Sequence, residues 1–215
     1  MLSLAKKLKP LNIFRSLFPE QCVVCHGTAS TCVCQACALQ CPSEFTVKNT
    51  VTTLSDYHES LLKELLHEIK FNCNRRVAEW LGNYLKEHVM KVPYRDSVWV
   101  PVPSHSNRLV KRGFDHLSVI LEPLLKSQGV LLQPIIQRIK DTPPLHHLSR
   151  QERQLILRDV FAWSFLMQPQ LLMNNDVVIV DDIYTTGATV FALQALIMTY
   201  PVRSCRVVTL AVTQP

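Results

Sequence analysis

Glycine is scarce in this chain, with five among 215 residues, and the sequence shows no internal repeat and no low-complexity tract. Those absences exclude collagen-like, solenoid and flexible-linker architectures. No stretch reaches the ~18 uninterrupted apolar residues that a membrane-spanning helix needs. The opening segment MLSLAKKLKPLNIFRSLFP has cations but no long apolar run, so it makes a poor signal peptide. Leu2, Leu4, Leu8 and Leu11 stand against Lys6, Lys7 and Lys9 as a short amphipathic stripe. Docking onto the domain is favoured over membrane-surface attachment, because Pro10 breaks the stripe early. Charged residues make up 19% of the chain and hydrophobic ones 47%, which indicates a globular protein with one core of ordinary size and a small appendage. The net charge of +6 permits a nucleic-acid partner without establishing one.

The most informative segment present is VVIVDDIYTTGAT, residues 177–189. Its four leading residues are apolar and β-branched, as in a buried strand of a parallel sheet. The run ends in Asp181 and Asp182, then gives way to a hydroxyl-rich loop and an apolar helical pattern. A loop opening a helix presents free N–H groups and the positive end of the dipole, which suits a phosphate. Gly187 allows close backbone approach, and the threonine hydroxyls add donors. Carboxylates would repel a phosphate, but they suit a sugar diol or a divalent cation beside it. The order therefore fits a sugar phosphate. It resembles the phosphoribosyl pyrophosphate (PRPP) loop of type I phosphoribosyltransferases. That resemblance implies that Asp181 and Asp182 face the ribose, with Mg²⁺ accompanying PRPP, and that Thr185, Thr186, Gly187, Ala188 and Thr189 cradle the 5′-phosphate. Tyr184 stands where an aliphatic residue is more usual.

Six of the eight cysteines lie in CVVCHGTASTCVCQACALQC, residues 22–41. Two Cys-x-x-Cys pairs, Cys22/Cys25 and Cys34/Cys37, can form two knuckles around one tetrahedral zinc ion. A disulfide framework is the rival and requires an oxidising compartment. Cys32 and Cys41 are extra, and either is a candidate to replace a ligand. A closed four-thiolate site is structural, folding a segment too small for its own core.

Beyond this segment, TVKNTVTTLSD reads as a threonine-rich linker. HESLLKELLHEIKFN and RRVAEWLGNYLKEHVM follow as amphipathic helices, with Leu61, Leu62, Leu65, Leu66 and Ile69 on one face and Val77, Trp80, Leu81, Tyr84 and Leu85 on the other's. Lys70, Arg75 and Arg76 read as solvated. VWVPVP is a strand whose prolines suggest a sheet edge. VLLQPIIQ reads as a further strand, and CRVVTLAV as a buried one. Strands alternating with helices predict an α/β fold with a doubly wound parallel sheet, which binds ligands at the carboxyl ends of its strands. The loop Pro103-Ser104-His105-Ser106 and the Asp181 loop both fall there. With PRPP as ligand, Ser104 and Arg112 are expected to meet its pyrophosphate. Arg108 and Lys111 share the helical spacing of Arg112. Together with Arg138, Lys140, Arg150 and Arg153 from the long basic excursion, they are candidates for contact with nucleic acid. Phe161, Trp163 and Phe165 alternate as in a strand with one buried face.

Taken in order, the two knuckles, IKFN, VPVPSHSNRLVKRGF, DTPPLHHLSRQERQLILRDVF and VVIVDDIYTTGAT resemble the ComF family of competence proteins from Cys22 to the end. The resemblance implies an N-terminal segment and zinc finger over residues 1–43 and a domain of the type I phosphoribosyltransferase kind over 44–215. It further implies a cytoplasmic factor, at most peripheral to the inner membrane, that handles incoming single-stranded DNA beside other DNA-uptake proteins. The chain departs from the family's pattern at Asp115, Leu145 and Ile156, which favours ligand binding over catalysis. An active phosphoribosyltransferase acting on a nitrogenous base is the alternative, and a zinc-centred adaptor with a vestigial transferase domain is a weaker one.

Overall fold

The computed structural model describes residues 20–48, 50–58, 61–142, 159–165 and 168–213. The cysteine segment forms a two-strand hairpin, β1 (Glu20–Gln21) with β2 (Thr28–Ala29), and a single helical turn, α1 (Gln35–Ala38). The segment read as a linker is instead an antiparallel hairpin, β3 (Thr46–Lys48) and β4 (Val51–Asp56). The physical reason lies in its composition: threonine and valine are β-branched and fit a pleated, half-buried surface despite the hydroxyls. Thr52 and Thr53 are buried in consequence.

Two helices follow, α2 (Leu62–Phe71) and α3 (Arg75–His88). Leu62, Leu65, Leu66 and Ile69 of α2 are fully buried, as are Val77, Leu81 and Leu85 of α3. Asn74 caps α3 by accepting from the Val77 N–H. Then come β5 (Val98–Pro101), α4 (Ser106–Arg112) and α5 (His116–Ser127). A Cβ on Gly82 of α3 would sit 2.7 Å from the Val119 carbonyl oxygen and 3.0 Å from that of Ile120. Pro123 lies within α5 and offers no N–H to the Val119 carbonyl one turn back. The missing side chain of Gly82 is what allows the two helices to close over that spot.

The stretch VLLQPIIQ is not one strand. Leu132 makes a single parallel bridge to Trp99, and only β6 (Ile136–Arg138) pairs further, antiparallel to β7 (Phe161–Trp163). Pro134 falls between the two, where a missing N–H breaks a ladder. The last elements are β8 (Asp176–Tyr184), α6 (Ala188–Ile197) and β9 (Ser204–Val212). The main sheet has the order β3-β4-β9-β8-β5. Strands β4, β9, β8 and β5 run parallel, and β3 is the antiparallel edge. Proline-bearing β5 is the opposite edge, as its sequence predicts. Val177, Val178, Ile179 and Val180 of β8 are fully buried, as a central parallel strand requires. The carboxyl ends of β5 and β8 are neighbours: Pro101 pairs with Val180, and the Val102 N–H donates to the Val180 carbonyl at 2.9 Å.

Candidate functional site

Strand β8 runs past the acidic pair to Tyr184, so Asp181 and Asp182 project to opposite faces of the sheet. Their environments differ accordingly. Asp182 is 6% exposed. Its Oδ2 meets Lys70 Nζ at 2.8 Å and His116 Nε2 at 2.5 Å. Burial alone would raise its pKa, but the Lys70 ammonium and the His116 hydrogen bond outweigh burial and hold it well below the usual carboxylate range. Asp181 is half-buried. Burial, reinforced by the charge of Asp182, pushes its pKa up to about 7. The Asp182 N–H donates to Asp181 Oδ1 at 2.8 Å.

The network continues behind Asp182. Arg112 Nη1 lies 2.7 Å from His116 Nδ1. A guanidinium can only donate, so Nδ1 accepts and the imidazole proton sits on Nε2, donating to Asp182. Burial opposes a charge on His116, but its contacts with Asp115 and Asp182 raise its pKa overall. An imidazolium would have to surrender the Arg112 bond and turn its Nδ1–H to Asp115, 3.6 Å away. Burial pulls the pKa of half-buried Arg112 down, and its Nε is a buried donor with no hydrogen-bond partner. Asp115 is the N-cap of α5: it accepts from the Leu117 N–H and, at 2.9 Å, from the Ser118 hydroxyl. The negative charge at this family-divergent position therefore serves a helix start.

Lys70 is not solvated, contrary to its reading as a surface residue, and sequence reasoning passed over His116. A signal for His116 exists: it falls four residues before Ile120 and eight before Leu124, on the buried stripe of α5. Helical register gave no comparable signal for Lys70, whose long side chain reaches the carboxylate from the edge of the α2 stripe.

The loop after β8 places Thr185 and Thr186 at the surface, with Gly187 at φ +73° as the N-cap of α6. No side chain caps this helix start. The positive φ favours glycine here, and a Cβ, 2.3 Å from the Tyr184 hydroxyl, would displace the Tyr184 side chain. Ala188 is buried and Thr189 half-buried. A cavity of about 270 Å³ runs beside this loop, lined by Tyr184, Thr186, Phe191 and Gln194 with Val51 and Arg206. Its lining includes neither acid; beside the carboxyl end of β8 runs the loop after β5. There, half-buried Ser104 precedes α4, and His105 caps that helix by accepting from the Asn107 N–H at 3.2 Å.

The candidate nucleic-acid residues divide. Lys111 and Lys140 are exposed. Arg108 donates to the Thr142 carbonyl at 2.9 Å, and Arg138 donates to the Thr142 hydroxyl. Arg150 and Arg153 lie outside the described residues, as do Leu145 and Ile156. Of the three aromatics, Phe161 is buried beneath the Arg138 guanidinium, 5.7 Å from its ring centroid. Trp163 packs edge-on against Tyr200 at 5.0 Å. Phe165 is 99% exposed.

In the finger, one sulfur from each of Cys22, Cys25, Cys34 and Cys37 lies within 4.8 Å of the others. Tetrahedral zinc with Zn–S bonds of ~2.3 Å requires sulfurs ~3.8 Å apart, and Cys25 and Cys34 are separated by 3.7 Å. The donor set therefore fits a metal such as zinc. The two spare cysteines stand outside the cluster. The Cys32 thiol faces the Arg76 carbonyl at 3.8 Å, and Cys41 is buried, which pushes its thiol up to about 12.

No family model matches the chain. Curated proteins do resemble it. It is 30% identical over 155 residues to DNA utilization protein YhgH of Salmonella typhi, covering 69% of this chain and 65% of that protein. Competence protein ComFC of Streptococcus pneumoniae is 24% identical over 186 residues, with 86% of this chain and 78% of that one covered. Competence protein F of Haemophilus influenzae is 27% identical over 142 residues, covering 64% and 60%. The chain thus spans just under two thirds of the Salmonella relative. A solved hypoxanthine phosphoribosyltransferase from Staphylococcus aureus is similar over 64% of this chain and 62% of its own, at 19% identity and a TM-score of 0.31, too distant to transfer any residue's role. Strand order and the finger define an α/β protein with a mostly parallel five-strand sheet and a four-cysteine cluster. Within that class, the chain belongs to the ComF/YhgH family of competence and DNA-utilization proteins. No helix among the described residues is long and apolar enough to cross a membrane.

Proposed function

We propose that this protein is a cytoplasmic factor of natural transformation that binds PRPP with Mg²⁺, engages single-stranded DNA and carries one structural zinc ion. The observation that carries the PRPP reading is the grouping, at the carboxyl ends of β8 and β5, of Asp181, the uncapped start of α6 and the Ser104 loop. The 5′-phosphate sits on residues 185–189, where the helix dipole and free N–H groups favour an anion. Asp181 takes the ribose hydroxyls. Asp182, clamped by Lys70 and His116, fixes the strand end from the opposite face. Mg²⁺, when bound, neutralises the pyrophosphate. The DNA reading rests on the competence and DNA-utilization relatives and on exposed Lys111 and Lys140.

The deciding experiment is calorimetric titration of PRPP with Mg²⁺, with and without a single-stranded oligonucleotide. PRPP binding that the oligonucleotide strengthens or weakens supports a site whose ligand regulates DNA handling, since such coupling is reciprocal. Absence of PRPP heat for wild type, with unfolding data showing a folded protein, removes the reading.

One feature favours an enzyme instead: burial and the charge of Asp182 raise the pKa of Asp181 to about 7 at the carboxyl end of β8, which suits a carboxyl to proton transfer near neutral pH. Pyrophosphate release from PRPP across a panel of nitrogenous bases tests it. A flat panel with PRPP binding intact excludes the enzyme.

A further inference from the structure

The IKFN segment ends α2 on a phenylalanine that the core does not take. Ile69 is fully buried, and Lys70 turns inward to Asp182 at 2.8 Å. Phe71, the last residue of α2, is 68% exposed. One turn back, exposed His67 stands beside it, with ring centroids 4.8 Å apart and planes inclined at 38°. Residues four apart share a helix face, so the two rings form one aromatic surface open to solvent. Leu65, Leu66 and Ile69 of the same turns are fully buried. The rings therefore stand on a fixed helix rather than on a loop, and little ordering is needed to use them. A cation borders this surface. Two residues on from Phe71, the Cys73 thiol donates to the Lys111 carbonyl at 3.8 Å. Two residues span at most ~7 Å, so the end of α4 lies alongside the end of α2. Lys111 is exposed and makes no ion pair among the described residues, and Val110 beside it is 83% exposed. The neighbouring acids are turned elsewhere. Glu68 accepts from the side-chain amides of Asn72 at 2.6 Å and Asn74 at 3.5 Å, and Glu79 accepts from Arg75 at 2.8 Å.

An exposed aromatic surface with a cation at its border suits a single nucleic-acid strand: a base stacks on the ring and a neighbouring phosphate meets the cation. A duplex has no free base face to offer. The aromatics of β7 are committed already, Phe161 beneath Arg138 and Trp163 against Tyr200. We propose that Phe71, flanked by His67, is a stacking platform for one base of a single strand, with Lys111 holding an adjacent phosphate. This deepens the DNA reading and rests on it. The platform adjoins the acidic strand end through Lys70, which ties the end of α2 to Asp182 on β8.

The test is fluorescence anisotropy on the full chain across salt concentrations. The probes are a single strand of thymidines and an abasic deoxyribose-phosphate strand of the same length. Wild type, Phe71→Ala, Phe71→Tyr, Lys111→Gln and Phe165→Ala are compared. The platform predicts that Phe71→Ala weakens the thymidine strand by about tenfold, the size of one lost base stack, with the salt slope unchanged. On the abasic strand Phe71→Ala is expected to match wild type, since no base is there to lose, and that match also reports an intact fold. Phe71→Tyr is expected to restore the affinity, and Lys111→Gln to lower the salt slope by about 0.7. Unchanged affinity of Phe71→Ala for the thymidine strand overturns the platform, as does an equal loss on the abasic strand. If that unchanged affinity comes with a change in the mass of the protein in solution, the rings belong to a contact between copies of the chain. A loss in Phe165→Ala alone overturns the platform in favour of the 99% exposed ring after β7. Wild type that binds both strands equally refutes the platform and leaves the DNA reading standing as backbone binding. Wild type that binds neither strand refutes both.

Discussion

Asp182 shows how far one residue's chemistry is set by neighbours that the sequence keeps distant. The doubled aspartate is visible at once in the chain, yet the two members are opposites: Asp182 is buried against Lys70 and His116, and Asp181 is half-buried on the other face of the sheet. Nothing in a helical wheel shows that Lys70 crosses to another element. The ion pair is mostly buried, so removing one partner strands the other. Lys70→Met is expected to cost about 2–4 kcal/mol at pH 7, read from urea unfolding. A change below ~0.5 kcal/mol would mean that His116 alone satisfies the carboxylate. The two acids also separate in pH. The folded-state pKa of Asp181 is raised to about 7, so the native chain keeps a proton that the unfolded chain releases near pH ~4. Stability therefore falls as pH rises from ~4 to ~7. Asp182 has the opposite sign: its contribution is present above ~4 and is lost as pH falls below that. Asp181→Asn is expected to remove the decline between pH ~4 and ~6.5 and to be roughly 1–3 kcal/mol more stable than wild type at pH 8. Unfolding midpoints across pH check this, and a variant that keeps the wild-type slope would place the proton elsewhere.

At the scale of elements, the sequence was legible where one signal dominated and misleading where two competed. The α2 and α3 stripes and the core of β8 follow from periodicity alone, because burial is what writes that pattern. In TVKNTVTTLSD, polarity argues for a linker and β-branching argues for strands. Pairing with β9 decides the matter, since Thr52 through Asp56 of β4 find a parallel partner there that no local reading supplies. VLLQPIIQ fails the other way: its apolar run promises a strand, and Pro134 interrupts it. The finger was readable from spacing, but the choice among six cysteines was not, since Cys32 and Cys41 are excluded only by where the fold puts them. Cys25→Ser is expected to abolish stoichiometric zinc in purified protein and to lower its melting temperature, because a four-thiolate site loses its closed shell. Cys32→Ser and Cys41→Ser are expected to retain one zinc per chain by elemental analysis. Zinc lost equally from all three would assign the ligands differently.

At the scale of the molecule, the finger and the sheet are joined through α3. Arg76 holds Glu20 with both oxygens, at 2.6 and 2.7 Å, and the Tyr84 hydroxyl donates to the Cys41 carbonyl at 2.8 Å. Val33, Cys37 and Cys41 belong to the same buried cluster as α2, α3 and β8. The net charge of +6 is thus spread over a body whose half-buried cations already have tasks: Lys70 and Arg112 support Asp182, and Arg108 and Arg138 converge on Thr142. The cations left for a polymer are the exposed ones, among them Lys111 and Lys140. Contact with a single strand releases counterions, and log K falls with log salt by about 0.7 per phosphate engaged. Lys140→Gln is therefore expected to reduce that slope by about 0.7 in oligonucleotide binding measured across salt concentrations. Arg138→Gln is expected to leave the slope as it is, and so is saturating PRPP, because a ligand diphosphate and the DNA backbone would use different cations. A slope that falls with Arg138→Gln, or on adding PRPP, would instead mean that polymer and sugar compete for one set of arginines.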